Sequence, residues 1–272
     1  MSTLLEIQGL TVEFRRGAEI ALRAIEGLDL TIFTGETLAL VGSSGSGKSV
    51  LAHAILGLVP RPGRVVAGRV VWRGRDLLAL HEQEINRVRG AEIAMISQNA
   101  RLSLNPSYSI GRQLCDIVRL HQQCGWREAR ERTVRMLEDV QAPEAASRLD
   151  DYPHQFSQGM CQRIMIAAAL VCQPRLLIAD EPTASLDVIV QRQIVDLLRS
   201  ISARRAGELS ILFISHDLGV VAQLCDRVAV MREGRIAELG TAEEVYSRPR
   251  DPYTRQLLEA VPVARPVERA AR

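Results

Sequence analysis

The residues Gly42-Ser43-Ser44-Gly45-Ser46-Gly47-Lys48-Ser49 set three glycines, a lysine and a hydroxyl in the pattern G-x-x-x-x-G-K-[ST]. Glycines at this spacing let successive backbone N–H groups point into one concavity, and a helix that starts there adds its positive end. A lysine at the rim reaches β- and γ-phosphates, and the following hydroxyl ligates Mg²⁺. The pattern points to a nucleoside triphosphate with Mg²⁺ and leaves open what the energy is used for.

A second constellation lies downstream. The apolar run Leu176-Leu177-Ile178-Ala179 ends in Asp180-Glu181. An aspartate there can hold Mg²⁺, directly or through water, and a neighbouring glutamate can orient or deprotonate an attacking water, help worth roughly 10²–10⁴-fold. An acidic pair can also simply cap a helix. His216 closes the run Ile214-Ser215, and Gln98 follows the run Ile93-Ala94-Met95-Ile96. In a parallel sheet both would stand at strand C-termini, where ligands bind. His216 could meet a γ-phosphate oxygen or a water, and Gln98 could meet Mg²⁺ or a water. A lone histidine or glutamine is otherwise more often structural.

These residues need strands and helices to place them. Residues 38–41 read as a buried strand; Val50, Leu51, Ala54 and Ile55 recur at helical spacing until Gly57 and Pro60. Upstream, residues 4–10 and 11–14 read as two short strands, residues 15–19 as a turn, and Ile25, Leu28, Leu30 and Ile32 as a further, antiparallel strand. Strand is expected at 65–72, helix near 77–89, and strand at 93–96. Residues 110–149 change texture: Ile110, Leu114, Ile117, Val118 and His121, then Val134, Leu137, Glu138 and Gln141, keep helical spacing among many Arg and Glu. This is a helical insertion that ends in a loop at 151–154. The helix after Ser157 is apolar all round, hence buried. Strand at 176–181, helix at 188–202, strand at 209–215, helix at 218–224, strands at 228–231 and 236–239, and a helix from Tyr253 follow. Alternating strands and helices imply an α/β fold with a mostly parallel sheet.

Composition excludes several classes. With 272 residues, 47% of them hydrophobic and 24% charged, the balance is that of a globular chain with a sizeable core. A net charge of +2 gives no basic field for nucleic acid, and Arg204-Arg205 with Arg265, Arg269 and Arg272 read as solvated faces. Five cysteines form no C-x-x-C pair or metal spacing, which fits reduced thiols in a cytoplasmic protein. No signal peptide and no apolar run of about 18 residues is present.

Taken in order, Gly42 to Ser49, Gln98, Phe156-Ser157-Gln158-Gly159-Met160-Cys161-Gln162-Arg163, Asp180-Glu181, Ser185-Leu186-Asp187 and His216 resemble the ATP-binding cassette (ABC) ATPases. In that family these are the Walker A, Q-loop, signature, Walker B, D-loop and H-loop segments. The resemblance implies a P-loop NTPase, RecA-like: a mostly parallel sheet core, an N-terminal antiparallel β subdomain and an inserted helical subdomain. The ATPase domain would span 1–262, the helical insertion about 99–165, and a short tail 263–272. ATP and Mg²⁺ are the implied cofactors, with Ser49, Gln98 and Asp180 at the metal, Glu181, His216 and Gln98 as catalytic residues, and Asp187 in the D-loop. An aromatic residue under the adenine is expected in the first strands; Phe14 is the candidate, with Arg23 as the other occupant of that position. Two cassettes would pair head to tail, and Ser157, Gln158 and Gly159 would act in trans on the partner's nucleotide. The usual signature has Gly where Gln158 stands, and similar members carry a basic residue at Cys161.

Within the family, residues 217–222, 225–231 and Arg250-Asp251-Pro252-Tyr253-Thr254-Arg255-Gln256-Leu257-Leu258, with Leu102-Ser103-Leu104-Asn105-Pro106, look like the oligopeptide, dipeptide and nickel importer ATPases. The sequence lacks the cysteine-rich C-terminal extension of many peptide members and is similar there to nickel- and metallophore-type members. The implied partners are a second ABC ATPase subunit (making a hetero- or homodimer), two transmembrane permease subunits, and a periplasmic or extracellular solute-binding protein, with no nucleic acid. The implied place is the cytoplasmic face of the inner membrane, peripherally. A soluble, non-transport ABC ATPase acting on DNA or ribosomes is the alternative; such proteins usually carry a long coiled coil or two cassettes, and neither pattern is seen.

Overall fold

In the computed structural model the described residues are 2–16, 19–184 and 186–260. The chain divides into two compact units, one of residues up to His81 together with those from Ser210 onward, the other Glu82–Leu209.

The first unit opens with β1 (Thr3–Arg16) and β2 (Glu19–Phe33), which pair antiparallel, followed by β3 (Thr37–Val41), α1 (Lys48–Ile55), β4 (Gly63–Trp72) and β5 (Arg75–Asp76). The order β2-β1-β4-β5 makes an antiparallel sheet, as expected for the N-terminal part. Residues 4–14 form one strand, not two. The apparent break is a shift in register between Ile7 and Leu10, which puts Leu10 and Val12 on the same buried face as Leu5 and Ile7. Arg15 and Arg16 belong to β1 and Glu19 to β2; Gly17 and Ala18 of the expected turn lie outside the described residues.

The second unit contains α2 (Glu82–Val88), β6 (Ile93–Ile96), α3 (Ala100–Ser103), α4 (Ile110–Gln122), α5 (Trp126–Asp139), α6 (Pro143–Ser147), α7 (Gln158–Leu170), β7 (Leu176–Asp180) and α8 (Val188–Arg204). β6 and β7 pair in parallel, and both are largely buried apolar runs, as strands covered on both faces should be. Ser109 caps α4, which buries Ile110, Leu114, Cys115 and Val118; of these, Cys115 and Val118 pack with Ala129 on α5 and with Val171 and Cys172 beyond α7. On α5 the buried residues are Ala129, Thr133 and Leu137; the expected Glu138 is exposed, and Gln141 lies past the helix in a left-handed conformation. Spacing alone had put the stripe one step away because arginines and glutamates outnumber the apolar residues that mark it. Residues 77–89 are not one helix: a 3₁₀ turn at Leu77–Ala79 precedes α2, since the Asp76 carboxylate caps the turn at the Leu78 N–H. The expected loop at 151–154 includes a 3₁₀ turn at Pro153–Gln155. α3, short and weakly patterned, was not expected, while α6 lies within the helical stretch expected at 110–149.

The chain returns to the first unit with β8 (Ser210–Ile214), α9 (Leu218–Leu224), β9 (Arg227–Arg232), β10 (Arg235–Thr241), α10 (Ala242–Ser247) and α11 (Pro252–Glu259). β3 runs parallel to both β8 and β9, and β10 closes antiparallel on β9. Every residue of β3 and β8 is buried. The two strands end side by side, with Leu40 opposite Ile214. Short loops after them therefore emerge at one edge of this unit.

Candidate functional site

The loop from Gly42 to Gly47 leaves β3 and enters α1. Its shape depends on two glycines. Gly47 has φ 108°, and a Cβ there would stand 2.5 Å from the Ala24 carbonyl oxygen; at Gly42 a Cβ would stand 2.2 Å from the Met231 carbonyl oxygen. The loop is thus pressed against β2 and β9, and only glycine permits that approach. The Lys48 ammonium is buried and donates to the carbonyls of Gly42 and Ser43, at 2.9 Å each. It bends back over the loop it follows. The Ser46 N–H donates to the Ser43 carbonyl at 3.2 Å, and the Ser43 N–H donates to the Tyr253 hydroxyl at 3.0 Å. Those two amides are engaged within the protein, so the cradle's remaining donors carry any anion.

His216 is exposed just beyond β8. Ser215 before it is fixed by its N–H to the Leu40 carbonyl and by its hydroxyl, which accepts the Asp217 N–H at 2.9 Å. Asp217 in turn caps α9 through the Gly219 and Val220 amides. His216 therefore stands on a rigid corner at the same strand edge as the start of the phosphate loop.

In the second unit, β7 ends at Asp180, a buried carboxylate, and Glu181 follows with φ 47°, a left-handed conformation unusual for a residue with a side chain. The turn is closed by the Ala184 N–H on the Glu181 carbonyl at 3.0 Å. Gln98, just past β6, donates its Nε2 to Glu181 Oε2 at 3.0 Å. The two residues read separately from the sequence are thus brought together. In this unit Gln98 and Asp180 offer an amide oxygen and a carboxylate, and in the first unit Ser49 offers a hydroxyl; each is by itself the kind of hard oxygen donor that Mg²⁺ prefers.

Ser157 caps α7, its Oγ accepting the Met160 N–H at 3.2 Å, and Gln158 is the first helical residue, exposed. Gln158 is not among the residues with positive φ, so its side chain imposes no backbone strain where a glycine is usual. Gly159 lies close against α8, where a Cβ would sit 2.9 Å from Val190 Cγ1. Cys161 is fully buried, its thiol directed to the Pro153 carbonyl at 3.3 Å. Asp187 caps α8 through the Ile189 and Val190 amides, at 3.1 and 3.0 Å; Ser185 lies outside the described residues. Phe14, half-buried on β1, lays its ring against Gly63, where a Cβ would meet it at 2.7 Å. Arg23 is held by Glu13 and Glu26. Tyr253 was singled out in the sequence only as part of a family motif; its contact with the phosphate loop, 210 residues away, had no local signal.

The ABC transporter family profile matches residues 25–184. The chain is 45% identical to the oligopeptide transport ATP-binding protein OppD of Bacillus subtilis, over 96% of this chain and 73% of that protein. It is 44% identical to the dipeptide transport ATP-binding protein DppD of Escherichia coli, over 95% and 78% respectively. Among solved structures it is similar to cbiO1 from Clostridium perfringens, part of the ABC transporter complex cbiONQ, with a TM-score of 0.75 and 26% identity over 91% of this chain and 92% of that one.

Proposed function

Since this chain belongs to the ABC transporter family of ATP-binding proteins, and is an ATPase of the P-loop fold, we propose that it is the ATP-hydrolysing subunit of an importer for peptides. Support for the peptide cargo comes from the oligopeptide and dipeptide transport proteins at 45% and 44% identity. Nickel or a metal chelate, kept open by the sequence, finds no support in those names. The observation that carries the catalytic assignment is Glu181 held by Gln98 beside the buried Asp180.

In this reading the Gly42–Ser49 loop binds the phosphates, and Lys48 exchanges its loop carbonyls for phosphate oxygens. Ser49, Gln98 and Asp180 hold Mg²⁺, which when bound neutralises charge on the phosphates. Glu181 orients and deprotonates the attacking water, Gln98 fixes the Glu181 carboxylate, and His216 meets the γ-phosphate. Phe14 stacks under the adenine. Ser157, Gln158 and the Gly159 amide address the nucleotide of a second ABC ATPase subunit, with Asp187 in the adjoining loop. Residues 1–262 make the ATPase domain, with the helical insertion at about 99–165; the tail at 263–272 falls outside the described residues. ATP binding closes the dimer, and hydrolysis reopens it and drives two permease subunits fed by a solute-binding protein, with this chain peripheral on the cytoplasmic membrane face. Among the described residues no helix is long and apolar enough to cross a membrane.

The test is ATP hydrolysis by the chain reconstituted in lipid with its permeases, sister ATPase and binding protein. Stimulation by a peptide, lost in Lys48→Ala, is the expected result. Stimulation only by nickel or a chelate overturns the cargo. No response to any solute, with stimulation by DNA or ribosomes instead, overturns the importer.

A further inference from the structure

The phosphate loop has a strut that belongs to neither the loop nor its helix. The Ser43 N–H, directly after Gly42, donates to the hydroxyl of Tyr253 at 3.0 Å. Tyr253 is the second residue of α11, and it is held from several sides. The Arg232 guanidinium, at the end of β9, lies over its ring at 5.1 Å from the centroid. Its own N–H donates to the Asp251 carboxylate at 2.8 Å, which caps the helix. The residues just before it are tied to β10: Glu238 accepts the Arg250 N–H at 2.8 Å and the Asp251 N–H at 3.1 Å. The Arg255 guanidinium donates to the Pro249 and Arg250 carbonyls.

These contacts fix the start of α11, and one of them ends on a loop amide. The same side of the loop is walled by Met231, whose carbonyl presses on Gly42, and by Gly234, whose N–H donates to the Ser46 carbonyl at 3.0 Å. Gly42 and Ser46 are thus set from the hairpin of β9 and β10, and Ser43 from α11. A cradle whose amides must converge on a phosphate gains affinity from being held in shape before the ligand arrives.

We propose that Tyr253 is a positioning residue for ATP: its hydroxyl fixes the Ser43 amide and so sets the phosphate loop for the nucleotide, which makes α11 a second point from which nucleotide affinity is controlled. The proposal rests on the reading of Gly42–Ser49 as the ATP phosphate site. Tyr253 acts through the loop and touches no reacting atom.

The experiment measures binding of a fluorescent ATP analogue to the purified full chain, and KM and kcat for ATP in the reconstituted complex. Tyr253→Phe keeps the ring and its contact with Arg232 and removes only the acceptor. One net hydrogen bond spent on preorganisation corresponds to a loss of about three- to tenfold in affinity. The expected result is that rise in dissociation constant and KM, with kcat at saturating ATP within about twofold. Backbone amide exchange over residues 42–49 should quicken while the rest of the chain exchanges as before. Ser43→Pro removes the donor instead; adding Tyr253→Phe to it should cost no further affinity. If Tyr253→Phe lowers the melting temperature but leaves ATP affinity and loop exchange unchanged, Tyr253 merely fastens α11 and the proposal fails. Lys48→Ala separates the two readings: if it binds ATP as well as the unaltered chain, the phosphate-loop reading itself is wrong, whereas lost binding in Lys48→Ala beside an unaffected Tyr253→Phe overturns only the strut.

Discussion

Glu181 occupies a left-handed backbone conformation, φ 47°, at the one position where the chain leaves β7 and turns within three residues. For a residue with a Cβ that conformation costs about 1–2 kcal/mol. Glycine avoids the cost but loses more freedom on folding, about 0.5–1 kcal/mol relative to alanine. The difference leaves Glu181→Gly more stable than Glu181→Ala by roughly 1 kcal/mol. Comparing these two variants, and not either with the unaltered chain, isolates the backbone, because both lose the carboxylate and its bond from Gln98 alike. At this size the gap corresponds to roughly 2–4 °C in melting temperature. The assay is urea and thermal unfolding of both variants in one buffer, with hydrolysis by the reconstituted complexes alongside. Both variants should hydrolyse ATP roughly 10²–10⁴-fold more slowly. An alanine variant as stable as the glycine variant, or more so, would refute the strain argument. Undiminished hydrolysis by either would remove Glu181 from the mechanism.

Other outcomes follow from the same geometry. Gly47→Ala sets a Cβ 2.5 Å from the Ala24 carbonyl at φ 108°, so unfolding experiments should show a loss of about 3 kcal/mol, with ATP binding greatly weakened. Burial works against ionisation of Glu238, yet the amides of Arg250 and Asp251 and the charge of Arg250 hold its carboxyl below the ordinary value. A depressed carboxyl stabilises the fold above its unfolded value of about 4.3 and ceases to do so as pH falls through the lower folded value. Glu238→Gln should therefore cost roughly 1 kcal/mol at pH 7, and the gap to the unaltered chain should close below about pH 4 in denaturant titrations. Gln158→Gly should change hydrolysis by the assembled complex but not ATP affinity of the isolated chain; an unchanged rate in the complex counts against action in trans.

The parts of the site legible in the sequence are those whose geometry is local. Gly42 to Ser49 lie in one turn between a strand and a helix, and Asp180-Glu181 end one apolar run, so residue types at fixed spacing were enough. The parallel strands were legible because Leu38 to Val41 and Ile211 to Ile214 are apolar without interruption. The bond from Gln98 to Glu181 spans 83 residues, and that from Ser43 to Tyr253 spans 210; no periodicity reports contacts of that range. The left-handed turn at Glu181 was hidden because glutamate disguises a conformation that glycine would have announced. The register shift in β1 looked like a chain break because the buried apolar positions pass from odd numbers, Leu5 and Ile7, to even ones, Leu10 and Val12, which breaks the alternation that marks a continuous strand.

The burial of the cysteines bears on handling the protein. Cys115, Cys161, Cys172 and Cys225 are buried, and burial pushes Cys172 up to about 11 and raises Cys115 and Cys225 as well. Thiolate is the form that attacks an alkylating reagent or an oxidant. Among the described residues Cys124, half-exposed between α4 and α5, is the cysteine a dye can reach, which labels the helical part without any engineered residue.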